Sequence, residues 1–369
     1  GFAMGILNSL KIFGPSAIGS VVYSAGVILG GVILRPYLGI KGFAIGVLLG
    51  SLGNFLVQVP ALRRTGFRYS LVLNLKHPGV RRIAILALPI ILSFTLNQIM
   101  VLVNQNLNSG LPQGSLSALM YAYRLQQVPV GIFAVSIGTA VFPTLTEFAA
   151  RKEYINFKDS FSAAFRSILF ITIPMSVGMI VLAKPLIEVV YQHGQFTSID
   201  TQETIPSLIF LALGLVGQSA IIFLPRTFYA LQNTWAPVLM SVVGLVLNVV
   251  LMYMLVGPLA QGGVALAWSI SGTINMLLLM YVLRRRVGNL DGRRMLSSFV
   301  RIVFSSLVMG LGISLVQNLL LSVLTPGKFT SLIILGVGFV IGCGVFAGLA
   351  LLLKMPEIQF VARIVSRRR

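Results

Sequence analysis

The stretch "PSAIGSVVYSAGVIL" (residues 15–29) returns as "PVLMSVVGLVLNVVL" (residues 237–251), and this recurrence decides the fold. Each copy opens on a proline and continues through small and apolar residues without a charge. The segments that follow align as well. At a shift of 221 positions Gly42 meets Gly263, Ala44 meets Ala265, Asn54 meets Asn275, and Arg63–Arg64 meet Arg284–Arg285, with one residue of slack between the two halves of the match. A helix pair repeated so far along the chain predicts two lobes. Copies that run in the same direction predict lobes related by an axis along the membrane normal.

Composition says which solvent those lobes meet. The chain of 369 residues is 56% hydrophobic and 10% charged, with mean hydropathy +0.94. Soluble domains carry about 25% charged residues, so this is an integral membrane protein. Runs of about 20 apolar residues, the length that crosses a bilayer, fall near 15–34, 42–62, 83–103, 115–146, 167–183, 204–225, 235–256, 262–283, 302–325 and 329–353. Their continuous apolar character predicts helices, because barrel strands alternate with period two. The start, "GFAMGILNSLKIFG", has neither the basic region nor the small-residue cleavage site of a signal peptide. It reads as the middle of a protein.

Net charge is +20, from 28 Lys+Arg against 8 Asp+Glu. If the 63–82 loop is cytoplasmic, 23 of the 28 basic residues fall on that side. Only Arg35, Lys41, Lys184 and Lys328 fall opposite, which leaves Arg124 unassigned. This asymmetry predicts a cytoplasmic C-terminus and accounts for the basic surplus without nucleic acid. All eight acids lie at helix ends or in loops, and His77 and His193 are both in loops. The single Cys343 sits in an apolar run, so a disulfide framework has no basis. Hydrolytic or metal chemistry needs convergent bases and ligands; the sequence predicts no metal, no cofactor and no enzyme.

Arg124 is the exception, a charge inside one of the longest apolar runs. Tyr121, Gln127 and Gly131 share its helical face, at spacings of three, three and four. Pro129 invites a kink whose freed carbonyls can face a cavity. A guanidinium there would offer planar, bidentate donors to phosphate or carboxylate. The alternative is that Arg124 lies near the outer end and snorkels to the headgroups. The residues leave both readings open. Among the other intramembrane polar residues, Asn97 and Asn104 share a face of the 83–103 helix, and Asn248 and Asn275 stand on the repeated pair; interhelical hydrogen bonding is the plain expectation for each. The spacings Gly42-Gly46-Gly50 and Gly338-Gly342 read as close helix packing.

Four stretches carry a resemblance: "LNSLKIFGPSA" (7–17), "YAYRLQQVPVGIFAVSIGTAVFPTLTEFA" (121–149), "PLIEVVYQHGQFTSIDT" (185–201) and "FYALQNTWAPV" (228–238). With them the chain resembles the MurJ (MviN) lipid II flippase family of the multidrug/oligosaccharidyl-lipid/polysaccharide exporter superfamily, lacking its first three helices and most of its fourth. The resemblance implies an all-α integral membrane protein, a polytopic helix bundle of ten full transmembrane helices in a two-lobed exporter fold with a truncated first lobe and two added C-terminal helices. Residues 1–64 would be the remnant of the N-terminal lobe (end of helix 4, helices 5 and 6) and 65–82 the cytoplasmic inter-lobe loop. Residues 83–286 would form the C-terminal six-helix lobe, and 287–369 the two further helices and the basic tail.

The implied function is movement of lipid-linked peptidoglycan precursor from the inner to the outer leaflet of a bacterial plasma membrane by alternating access. The implied partners are the anionic precursor lipid II, membrane lipids and cell-wall synthesis machinery. Family members carry a functional arginine in the eighth helix, which "YAYRLQQVP" places at Arg124. The expected substrate-binding set is Arg124, Tyr121, Gln127, Asn97 and Asn104. Where the family often has an acid three residues after the arginine, this chain has Gln127, which puts ion dependence in doubt. The rival readings are another exporter of the superfamily, for a polysaccharide lipid or a drug, and a non-transporting scaffold. A first lobe without its leading helices is expected not to transport alone.

Overall fold

The computed structural model describes residues 2–10, 12, 14–65, 78–80, 91, 95, 98–99, 101–103, 106, 110–112, 114–325 and 327–358. Most of the expected 83–103 span, Asn97 and Asn104, and most of the 65–82 loop lie outside the described residues. The chain divides into two compact units, residues 1–81 and 82–369, and among the described residues every regular element is helical.

The first unit contains α1 (Phe2–Ser9), α2 (Gly14–Leu29) extended by a π-helical turn at Gly30–Leu34, α3 (Arg35–Leu38) and α4 (Ile40–Arg64). In the second come α5 (Ser115–Pro129), a second π-helical turn at Val130–Ala134, α6 (Val135–Ala150), α7 (Tyr154–Val181), α8 (Ala183–Tyr191), α9 (Ser198–Leu213), α10 (Leu215–Ala230), α11 (Trp235–Val287), α12 (Gly292–Val323) and α13 (Lys328–Leu352). Among the described residues seven helical stretches are long and apolar enough to cross a membrane, or eight if α9 and α10, bent by 47° at Gly214, count as one span. Within α11 the expected spans 235–256 and 262–283 meet at Ala260, which is not helical.

The internal repeat holds at the level of the backbone. In the first unit the chain turns from α3 into α4 at Gly39, with φ 55° and ψ −132°. In the second it turns at Ala260, 221 residues on, with φ 47° and ψ −131°. The packing inside the two corners matches too. A Cβ on Gly42 would press on the backbone of Leu34, and one on Gly263 would overlap the carbonyl of Leu255, again 221 residues on. The corner needs a residue without a side chain three positions after the turn, because the returning helix starts against the backbone it has just left.

Gly39 adopts its conformation without steric penalty, whereas Ala260 holds the same dihedrals against its own Cβ. Strain of this kind costs about 1–3 kcal/mol. Ala260→Gly is therefore expected to stabilise the second unit by about 1 kcal/mol, after the entropy lost by glycine is counted. A thermal midpoint in detergent that rises by a few degrees supports this; an unchanged or lower midpoint counts against it.

Between corner and loop the two copies diverge. In the first unit α2 and α4 touch through glycines, Gly26 on Gly50 and Gly30 on Gly46, so the Gly42-Gly46-Gly50 spacing is indeed a close packing face. In the second, Asn248 replaces Gly26 and Ser271 replaces Gly50, and the Asn248 amide donates to Ser271 Oγ at 2.8 Å. The glycine contact has become a polar one, and the helices are held apart by side chains.

The second unit buries two apolar clusters. One gathers Ala122, Ile187, Leu208, Met252 and Ala265. The other runs from Phe157, Phe161 and Phe223 to Ile302, Ile313 and Ala350, so α12 and α13 share a core with α7 and α10. Two polar contacts reinforce that join. Arg166 of α7 and Ser298 of α12 both donate to Oε1 of Glu357, just after α13, at 2.9 and 2.8 Å. Toward the opposite ends of the helices, Ser331 of α13 donates to Glu188 of α8.

Two basic residues expected in loops prove to stand on helices. Arg166 lies on α7, which starts at Tyr154 rather than near 167. Arg226 lies one turn inside the end of α10 and donates to the Val135 carbonyl at 2.9 Å and to Thr139 Oγ1 at 2.8 Å. A hydropathy window closes a span at the first charge, but a guanidinium with protein acceptors remains inside the helix.

Candidate functional site

α5 begins after Gly114, whose φ of 98° suits only glycine. It carries Tyr121, Arg124 and Gln127 before Pro129. Proline removes one helical hydrogen bond and crowds the preceding turn. The chain absorbs this with the π-helical turn Val130–Ala134 rather than a break, so the helical stretch continues from Ser115 to Ala150. Such turns widen the helix and leave carbonyls free for other donors. Arg226 supplies one at Val135, and Gly138 leaves it room: a Cβ there would stand 2.6 Å from Arg226 Nη1.

Behind this turn lies a cavity of about 550 Å³, walled by α5, α10 and both halves of α11. Gln127 and Gly131 form part of its wall. Arg124 lies one turn further out on the same face, exposed, and none of the ion pairs among the described residues involves it. Its charge acts on the Tyr191 hydroxyl of α8, a short helix outside the spans. Burial pushes that phenol above the usual tyrosine range and Arg124 draws it partly back. At neutral pH Tyr191 therefore keeps its proton.

Tyr121 also makes contacts within the protein. Its ring packs on Tyr191 at 4.7 Å and on Phe196 at 5.2 Å, and its carbonyl accepts from the Tyr191 hydroxyl at 3.3 Å. It pins the "YQHGQF" loop to α5 and so stands beside Arg124 as support. Asn97 and Asn104 lie outside the described residues. Asn248 makes the interhelical bond expected of it, whereas Asn275 and Asn248 each keep a buried amide oxygen without a partner.

Sequence reasoning missed Gln126, Gln218, Trp268 and Ser271. Gln126 donates to the Leu211 carbonyl at 2.5 Å, and Gln218 donates to the Trp268 carbonyl at 3.3 Å. Each is a neutral residue in a largely apolar stretch. The only available signal was the recurrence of neutral amides and the absence of any charge among them. Among the described residues no three His, Cys, Asp or Glu side chains converge.

A repeated helix pair, and a cavity lined by neutral amides and apolar side chains within a bundle of apolar helices, mark a polytopic membrane protein of the exporter fold. A solved multidrug resistance MATE family transporter of the MOP superfamily, in an inward-facing conformation, shares that fold at 17% identity and TM-score 0.65, over 79% of this chain and 68% of its own. The family model for lipid II flippase MurJ matches residues 1–335, and the chain belongs to that family.

It is 30% identical to a probable lipid II flippase MurJ of Bdellovibrio bacteriovorus, over 98% of this chain and 69% of that protein. It is 33% identical to the one of Vibrio cholerae, over 74% of this chain and 53% of that protein. A solved lipid II flippase MurJ in an inward closed conformation is similar at 29% identity and TM-score 0.78, over 96% of this chain and 71% of its own. The chain thus spans between about half and seven-tenths of the length of these relatives. It is a multi-pass protein of the bacterial inner membrane, in a family of lipid transporters.

Proposed function

We propose that this protein is a lipid II flippase, moving the lipid-linked peptidoglycan precursor from the inner to the outer leaflet by alternating access. The observation that carries the reading beyond family membership is the single helical face on which Arg124, Gln127 and Gly131 lead into the cavity. Arg124 takes the pyrophosphate of the cargo by bidentate, charge-assisted hydrogen bonds, while the polyprenyl tail stays in lipid.

The C-terminus faces the cytoplasm, a reading that the distribution of Lys and Arg supports. Residues 83–286 act as one lobe with the helices after 287 attached. Moving negative charge outward across an inside-negative membrane gains about 2.3 kcal/mol per charge per 100 mV. The membrane potential therefore favours the export direction without a carboxylate in the spans.

The test is transport by the whole protein in proteoliposomes loaded with a fluorescent lipid II. Outward movement should expose the label to an external quencher and should quicken with an inside-negative potential. Movement of a cationic drug but not of lipid II would instead assign the protein to the multidrug exporters.

A further inference from the structure

The geometry points to a second binding site: the uncharged cavity of the second unit holds a sugar ring of the lipid-linked cargo, with Arg124 outside it on the pyrophosphate. This inference rests on the lipid-linked cargo proposed above and adds where the uncharged part of the headgroup goes.

Three features single out a saccharide. First, the wall contains no Lys, Arg, His, Asp or Glu. A phosphate or carboxylate lodged there would lose its hydration without a counter-charge, which is prohibitive inside a membrane protein. Second, the wall is rich in neutral groups that both donate and accept. Gln127, Gln218, Asn248, Ser271 and Asn275 all contribute to it, and amide and hydroxyl groups match the dual donor–acceptor character of sugar hydroxyls. Third, Tyr123 and Trp268 meet edge to face at 5.8 Å and 88°, forming an aromatic corner beside these amides. The C–H face of a pyranose packs on such a ring while its equatorial hydroxyls reach the flanking amides.

The wall is also incompletely satisfied. Asn248 Oδ1, Asn275 Oδ1 and Trp268 Nε1 are buried with no hydrogen-bond partner. Asn248 and Asn275 are only 2% and 6% exposed. These two acceptors and one donor lie just beneath the wall, so a hydroxyl-bearing or acetamido-bearing ligand completes them when the side chains turn toward it. The volume, about 550 Å³, lies within the range of small-molecule sites. The same position in the first unit is closed by Gly26 against Gly50, so the site belongs to the second copy of the repeat alone.

The test uses tryptophan emission. These 369 residues hold two tryptophans, so with Trp235, and any tryptophan elsewhere in the whole protein, changed to Phe, Trp268 reports alone. The whole protein in lipid nanodiscs is titrated with N,N′-diacetylchitobiose, a neutral disaccharide, then separately with inorganic pyrophosphate and with sodium chloride against choline chloride at equal ionic strength. The disaccharide should change Trp268 emission saturably, and pyrophosphate should not. Asn275→Ala should weaken the response tenfold or more. Ser241→Leu, which narrows the cavity from its exposed side and leaves the buried amides untouched, should do the same at a thermal midpoint equal to wild type.

A disaccharide response unchanged in both variants places the sugar elsewhere and overturns the inference. A saturable sodium response with none to the sugar overturns it in favour of a cation site. No response to any probe, in protein of normal thermal stability, overturns it outright. Flipping of lipid II without a disaccharide response removes the sugar site and keeps the flippase. A disaccharide response in a protein that does not move lipid II keeps the sugar site and removes the flippase.

Discussion

Arg124→Ala is expected to abolish rescue of a flippase-depleted bacterium by the whole protein, at membrane abundance equal to wild type. The guanidinium is exposed on the face that leads into the cavity, and among the described residues no carboxylate neutralises it. Its removal therefore leaves no buried partner stranded, and fold stability should be unchanged. What is lost is anion capture. A hydrogen bond to a charged group is worth about 1.5–3 kcal/mol, and two parallel ones on a pyrophosphate amount to about 3 kcal/mol after solvent screening. At 1.4 kcal/mol per tenfold, lipid II binding should weaken about 100-fold.

Arg124→Lys keeps the charge and loses the fork, so it should fall between wild type and alanine. Gln127→Glu puts a carboxylate three residues away on the same face, where it can pair with Arg124, and should also weaken binding. Full rescue by Arg124→Ala would return the residue to the snorkelling role that the sequence left open.

The large features of the fold were legible because they depend on long, redundant signals. A span is about twenty residues of one character, and a hairpin corner that forbids a side chain leaves a glycine in the same place in both copies, as at Gly42 and Gly263. Even the repeat's register survives into φ and ψ at Gly39 and Ala260. What the pattern could not announce was the unusual alanine, since Ala260 in an apolar run looks like any helical residue.

The candidate site was legible only in part, and for a physical reason. Arg124 stands out because a charge in hydrocarbon is costly. Gln126, Gln218, Ser271 and Trp268 do not, since an isolated neutral polar residue in a span is tolerated by a single interhelical bond. Their meaning comes from convergence across α5, α10 and α11, and nothing local in the sequence records it. Tyr121 shows another kind of contact that a local pattern does not record. It shares a helical face with Arg124, yet its neighbours Tyr191 and Phe196 arrive from seventy residues away and turn it into a brace. Periodicity gives the face of a helix; it does not say what covers that face.

Glu357→Gln should destabilise the attachment of the last two helices to the lobe by about 3 kcal/mol. Glu357 is 3% exposed and Arg166 is 18% exposed, and a single carboxylate oxygen accepts from both Arg166 and Ser298. The Gln side chain keeps the shape and removes the charge, leaving the Arg166 guanidinium largely buried without a counter-charge. Breaking a buried pair in this way costs about 3–5 kcal/mol; the partial exposure of Arg166 argues for the lower end.

Pairing the change with Arg166→Met is expected to recover most of the loss, because the stranded charge goes with it. The measurement is thermal unfolding of the purified protein, read beside protease sensitivity of the 288–291 connection that leads into α12. The single variant should unfold earlier and be cut there faster, with the double variant near wild type. If the two single changes simply add, the contact is a solvated surface pair and the apolar core alone holds α12 and α13 in place. If instead the double variant recovers stability but still fails to transport, the pair matters for the alternation itself. In that case the shared apolar core keeps α12 and α13 on the lobe, and the charged contact serves a step of the transport cycle.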